Sequence, residues 1–336
     1  MQPQPTPNLV LTTAPFLREG TTTPVLMNRV TLATLPIIGF SIYSFGLKAL
    51  LVLLASVLGC LATEALLNRN RTEPKSLLDG SALLTGVLLG LTLPPAIPLW
   101  LAILGGMVAI ALGKWVWGGL GSNLFNPALV GRAFLQTSFP TVMTTWTDPF
   151  QGWGHIAKPN LALPLMQGAV DGMTAATPLG MAKFDHATTA MDLLFLGKTA
   201  GSLGETCAGL LFLCGLWLAY KKVFDWRLPV ATLLTAGLFA ALLHGFFPQR
   251  CVAGPVAMLF SGGLLFGAVF MVTDPVTTPL TKKGMWIFGF GVGSLTLLIR
   301  VFGGLPEGVM FSILLMNAVT PLINRYTQPR VFGGAR

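Results

Sequence analysis

Charge is the scarcest property of this sequence. Only 10% of its 336 residues are Asp, Glu, Lys or Arg, against about a quarter in an ordinary soluble domain, which excludes a solvated globular surface over most of the chain. Metal-ligating side chains are equally thin. There are three histidines and four cysteines, and Cys60, Cys207, Cys214 and Cys251 lie in or beside apolar segments without ligand spacing. Neither zinc, nor a disulfide framework, nor iron–sulfur ligation follows from them. No phosphate-cradling lysine loop or soluble nucleotide-binding domain is visible. No signal peptide is expected either, because residues 1–28 are rich in proline and threonine and lack an apolar core with a small-residue cleavage site.

What the chain has in abundance is apolar length. Hydrophobic residues make up 53% of it, and the mean hydropathy is +0.72. Its 39 glycines and 24 prolines would suggest disorder in a polar chain. Here they fall inside apolar runs, where membrane helices tolerate them because neighbours re-satisfy the backbone. At about 20 apolar residues per crossing, ten spans are expected near 29–46, 48–67, 78–94, 97–114, 122–139, 200–221, 228–247, 254–273, 284–302 and 307–324. The expected organisation is a cytoplasmic arm (1–28), a first five-helix unit (29–139), an outer segment (140–199), a second five-helix unit (200–325) and a cytoplasmic tail (326–336).

The formal net charge of +9 does not point to nucleic acid, because the basic residues cluster in short loops between spans. The most basic turns are 68–77, 221–227 and 280–284, with Arg69, Arg71, Lys75, Lys221, Lys222, Arg227, Lys282 and Lys283. The positive-inside rule then puts both termini in the cytoplasm and 140–199 on the outer, periplasmic side of a bacterial inner membrane. The two halves also resemble each other. GGLGSNLFNPALVGRAF (118–134) and GGLPEGVMFSILLMNAVTPLINRY (303–326) each carry a Gly-Gly-Leu hinge, an asparagine near a proline, and then an arginine. Units of five spans must be inverted relative to each other. The fold class expected is therefore an all-α polytopic membrane protein, ten transmembrane helices as two inverted five-helix repeats, with ligands near the repeat interface.

The outer segment holds DGMTAATPL (171–179), an acid, two threonines and small residues without a histidine or cysteine. A metal site is poorly served there, since Asp171 is its one strong ligand, and a phosphate loop lacks its lysine. Two readings stay open: a bland outer loop, or a threonine hydroxyl that accepts a covalent modification. The second carries a resemblance. D-G-x-[ST]-[GSA]-A-T resembles the flavinylation motif of the Rnf and sodium-pumping NADH:quinone reductase complexes, with Asp171, Gly172, Thr174, Ala176 and Thr177 in the matching positions. Alanine at 175 departs from the glycine or serine often found there. GGLGSNLFNPALVGRAF and SLLDGSALLTGVLLGLTLPP (76–95) are similar to signatures of the same family, the Rnf D subunits and the homologous B subunits of the sodium pump. The resemblance runs from about residue 30 to 325, and the short N-terminal arm favours the Rnf branch.

The resemblance implies FMN joined through its phosphate to Thr177 by an extracytoplasmic flavin transferase, and a second, noncovalent flavin, riboflavin. Asn123 and Asn126 are the candidates for riboflavin contact, with helix capping as the alternative for either. Trp146, Trp153 and His155 are candidates to stack on or hydrogen-bond the FMN ring, or to anchor the loop at the interface. Glu64, Asp79, Arg132, Glu205, Asp274 and Arg300 are ionisable groups in or beside spans. Asp79 and Asp274 are the candidates for an ion path, and Glu64 is expected to pair with Arg69, Arg71 or Lys75. His244 is expected to cap or pack, with a proton relay as the alternative. No catalytic residue or metal ligand is expected. The function implied is membrane electron transfer within an ion-translocating ferredoxin:NAD oxidoreductase, active only with its iron–sulfur and flavin partner subunits in a lipid bilayer. The rivals are a small-solute channel or transporter of the ammonium or urea type, which would need no transferase motif, and a structural anchor subunit whose flavin motif is vestigial.

Overall fold

The structure is a computed structural model; it describes residues 22–69, 77–154, 158–164, 175–205 and 207–329. Among the described residues the regular secondary structure is helical, and each expected span contains a helix. The first unit consists of α1 (Thr23–Phe45), α2 (Leu47–Leu67), α3 (Ser81–Thr92), α4 (Leu99–Ile110, continued by a π-helical turn Ala111–Trp115) and α5 (Pro127–Ser138). Residues 140–199, expected as the outer segment, carry short helices α6 (Pro140–Met143), α7 (Pro178–Phe184) and α8 (Met191–Leu196). The second unit consists of α9 (Ala208–Tyr220), α10 (Arg227–Phe246), α11 (Pro255–Phe260), α12 (Leu264–Phe266, continued by a π-helical turn Gly267–Met271), α13 (Lys282–Phe302) and α14 (Val309–Thr327). By length and composition α1, α2, α10 and α13 can each cross a membrane, while α3, α4 and α9 are apolar but shorter. Large apolar side chains such as Leu58, Leu213 and Leu242 face outward, as they do where the solvent is lipid. This is a multi-pass membrane protein.

Packing follows the same plan in both units. In the first, α2 lies on α4 and α4 on α5; in the second, α10 lies on α13 and α13 on α14. Glycines set the close approach. A Cβ on Gly106 of α4 would lie 2.7 Å from the Ser56 carbonyl oxygen of α2, and one on Gly293 of α13 would lie 2.6 Å from the Thr232 carbonyl oxygen of α10. Without a hydrophobic drive between helices in lipid, such small-residue seams let backbones meet and supply packing energy. Across the two units α1 meets α9, and α5 meets α14.

Four spans differ clearly from the expected boundaries. α1 starts at Thr23 rather than 29, inside the arm expected at 1–28, with Pro24 in its first turn. α5 starts at Pro127 rather than 122, because Asn126 caps it and a proline is at home in the first helical position. α9 starts at Ala208 rather than 200. The preceding residues are tied to the end of α3, with Leu203 N donating to Leu93 O at 3.2 Å and Gly204 N to Leu91 O at 2.6 Å. The eighth span is broken between α11 and α12 at Ser261–Gly263, where Gly262 takes a φ of 64°.

Candidate functional site

Thr177 is the N-cap of α7. Its backbone is extended, its Oγ1 accepts from the Gly180 amide at 3.1 Å, and Pro178 occupies the first helical position. The stretch Thr-Pro-Leu-Gly is thus a helix start whose cap hydroxyl still has a donor to give. A Cβ at 180 would lie 3.0 Å from that oxygen, so glycine keeps the hydroxyl clear. Upstream, Ala175 N donates to Trp146 O at 3.0 Å. Ala176, Thr177 and Trp146 together line a cavity of about 440 Å³, with Phe184, Phe260 and Phe311 among its apolar walls. Asp171, Gly172 and Thr174 of the expected motif lie outside the described residues, as does His155. Trp153 takes no part in the cavity: it is exposed, and its carbonyl accepts from Leu47 N at the α1–α2 turn.

Charge gathers on one side of this cavity. Arg132 of α5 approaches Glu205 at 3.5 Å, and Arg300 of α13 approaches Glu307 at 3.1 Å. Arg132, Glu205 and Glu307 line the cavity itself. The second pair also holds the broken span. Arg300 Nη1 and Nη2 donate to the Met258 and Ser261 carbonyls at 2.7 and 3.1 Å, while Glu307 accepts from Gly263 N at 3.0 Å. One ion pair therefore satisfies the carbonyl end of α11 and an amide at the start of α12, groups that a break leaves without intrahelical partners. Arg132, Glu205 and Arg300 stood out in the sequence as ionisable groups at spans. Glu307 did not, although it opens the tenth expected span, where the same signal applied.

Lys183, on α7 with Thr177, was legible only as a basic residue of the outer segment. Its Nζ donates to the carbonyls of Arg300, Gly303 and Leu305 at 2.8, 2.6 and 3.0 Å. Burial pulls its pKa below the ordinary lysine value, while three carbonyl acceptors hold the proton in place.

A second, smaller cavity of about 60 Å³ is lined by Asn123, Asn126, Lys114 and Asp274. Asn126 caps α5, accepting from Ala128 N and Leu129 N at 3.1 and 3.4 Å. Asn123 braces its own loop, donating to Phe125 O at 3.2 Å. Asp274 closes a turn by accepting from Val276 N at 3.2 Å and the Thr277 hydroxyl at 3.3 Å. Nearby, Lys114 donates to Glu64 at 2.8 Å and to Ser81 Oγ at 2.7 Å and lies 4.0 Å from Asp79, which itself accepts from Ser81 N. The partner of Glu64 is therefore Lys114 from the end of the fourth span. Arg71 and Lys75 lie outside the described residues, and Arg69 makes no ion pair with it among the described residues. His244 is exposed, and its Nδ1 is 2.7 Å from the Cys251 carbonyl oxygen. Ligand cavities typically enclose about 300–1,000 Å³. The cavity at Thr177 fits a flavin by that measure, by its aromatic walls and by the hydroxyl at its edge; the one at Asn123 and Asn126 is smaller.

Comparison with known proteins bears on what the larger cavity serves. A family model described as NQR2, RnfD, RnfE matches residues 10–333. The chain belongs to that family. Among its relatives it is 41% identical to the D subunit of the proton-translocating ferredoxin:NAD(+) oxidoreductase complex of Clostridium ljungdahlii, over 97% of this chain and 96% of the relative. It is 42% identical to the D subunit of an ion-translocating oxidoreductase complex of Stutzerimonas stutzeri, over 92% and 91%. It is 38% identical to the D subunit of the Na(+)-translocating ferredoxin:NAD(+) oxidoreductase complex of Acetobacterium woodii, over 97% and 96%. Family members of nearly equal similarity thus carry names with different coupling ions, so family membership does not choose between sodium and proton.

Proposed function

We propose that this chain is the D-type membrane subunit of an ion-translocating ferredoxin:NAD oxidoreductase complex, and that it carries FMN esterified through its phosphate to Thr177 Oγ1. The observation that carries this reading is the position of Thr177. The residue singled out by the motif holds its hydroxyl at the edge of a cavity of about 440 Å³ with aromatic walls. When bound, FMN supplies exchange of one or two electrons, so it can join one-electron carriers to two-electron donors. The chain's residues do the rest. Thr177 tethers, Trp146 and Phe184 offer aromatic faces, and Arg132 presents a cation to an anionic group inside the cavity.

In this reading the matched helix pairings of the two units are those of an inverted repeat, 140–199 is periplasmic, and both termini are cytoplasmic. Electrons come and go through partner iron–sulfur and flavin subunits, and a flavin transferase loads Thr177 from outside. An ion route begins at the inner cavity, where Asp274 lines the wall and Asp79 is held beside Lys114. A second, noncovalent flavin, riboflavin, is held in this reading beside the smaller cavity that Asn123 and Asn126 line. Kinship over nearly the whole chain favours this function over a small-solute channel.

The test is in-gel flavin fluorescence of the chain co-expressed with a flavin transferase. Wild type and Thr174→Ala are expected to fluoresce, and Thr177→Ala to be dark. A fluorescent Thr177→Ala band, or a dark wild type beside a working transferase substrate, would overturn it.

A further inference from the structure

Lys183 joins two parts of the molecule that lie far apart in sequence. It stands in the last turn of α7, the helix that Thr177 opens. Its ammonium spends all three donors on the carbonyls of Arg300, Gly303 and Leu305. Two of those carbonyls lie just beyond α13 and one belongs to its last turn. A cation at a helix C-terminus is favoured by the unsatisfied carbonyls there. Here it comes from another element, so the contact works as a clamp between elements. With every donor engaged, Lys183 is not available to a phosphate in the cavity. Arg132, which lines the wall and holds Glu205 at 3.5 Å, is the cavity's own cation.

The clamped end of α13 also carries Arg300, whose side chain pairs with Glu307 and binds the carbonyls of Met258 and Ser261 at the break in the eighth span. Gly304, Leu305 and Glu307, which follow α13, line the same cavity as Ala176 and Thr177. A shift of α7 against the end of α13 would thus change the shape of the cavity.

We propose that Lys183 is a positioning residue: it clamps the cofactor-bearing helix to the end of α13 and so fixes where a group tethered at Thr177 sits within the cavity. This rests on the flavin reading of Thr177. The tether itself needs only the Thr177 hydroxyl, so loss of the clamp leaves attachment intact and frees the ring.

The experiment uses the assembled complex with wild-type chain, Lys183→Met and Lys183→Arg, reading adduct mass, fluorescence yield of the tethered flavin and its midpoint potential. Lys183→Met is expected to carry a full adduct whose fluorescence rises as contacts with the aromatic walls are lost, with a potential moved toward that of free FMN. Lys183→Arg is expected to restore both signals, because guanidinium can reach the same carbonyls. A general loss of stability would lower the yield of complex without changing the ring's surroundings in what assembles. Full adduct in Lys183→Met with fluorescence and potential of wild type would overturn the proposal. If the methionine variant does not assemble, Lys183→Gln is read in the same way. Absence of any adduct in wild type would instead remove the flavin reading on which the proposal rests.

Discussion

Lys114 sits in a three-sided cage of Glu64, Asp79 and Ser81, with 2% of its surface exposed. Removing one member of a buried ion pair strands the other, at a cost of about 3–5 kcal/mol. Lys114→Met is therefore expected to lower the thermal unfolding temperature in detergent sharply. The double variant with Glu64→Gln should recover part of that loss, and strictly additive losses would count against a coupled pair. Lys114 shows how far the sequence could be read at this scale. As a basic residue at an inner span end it was legible as a topology signal, but its partners come from two other helices, and pairing across helices is not written in local spacing. Asn126 was more transparent, because a cap followed by proline is a local pattern. Thr177 was legible through its motif, whereas its cavity is built from α5, the outer segment and the loop before α14, which no single stretch reveals. Glu307 and Lys183 were missed because their roles depend on backbone groups exposed by the ends and breaks of helices.

Among the elements, the glycine seams carry the most testable energetics. Gly293 of α13 faces the Thr232 carbonyl so closely that a Cβ would lie 2.6 Å from its oxygen, whereas a Cβ on Gly39 of α1 would meet nothing within 4 Å. Gly293→Val is expected to cost about 1–3 kcal/mol by overpacking, and Gly39→Ala to gain up to ~1 kcal/mol from helix propensity. Thermal unfolding of the two variants checks the contrast. Hydropathy placed the long helices α2, α10 and α13 to within about two residues. It smoothed over the break at Ser261–Gly263, because a window average cannot see one glycine with a positive φ flanked by apolar residues. It also ran the sixth span too far upstream, since the pairing of 203–204 with the end of α3 is a long-range contact.

At the scale of the whole molecule, two units with matching helix pairings enclose a larger cavity beside Thr177 and a smaller one beside Asn126. If the charge bias sets the orientation, these cavities open toward opposite sides of the membrane. Single cysteines in a background lacking the native four, placed at 163 in the outer segment and at 222 in a basic turn, test this with a membrane-impermeant maleimide. Labelling of intact cells is expected at 163 and not at 222, and the reverse pattern would invert the topology. The all-helical, multi-pass character was legible because hydropathy is summed over many residues, so single errors average out.

The central claim is that this chain is a covalent flavoprotein through Thr177, and the intact mass of the chain taken from its native membrane complex tests it most directly. The account predicts wild type heavier than its sequence by one FMN less one water, with fragmentation placing the increment on Thr177. An unmodified chain from a complex that is otherwise complete and active, or an increment on any other residue, would contradict it.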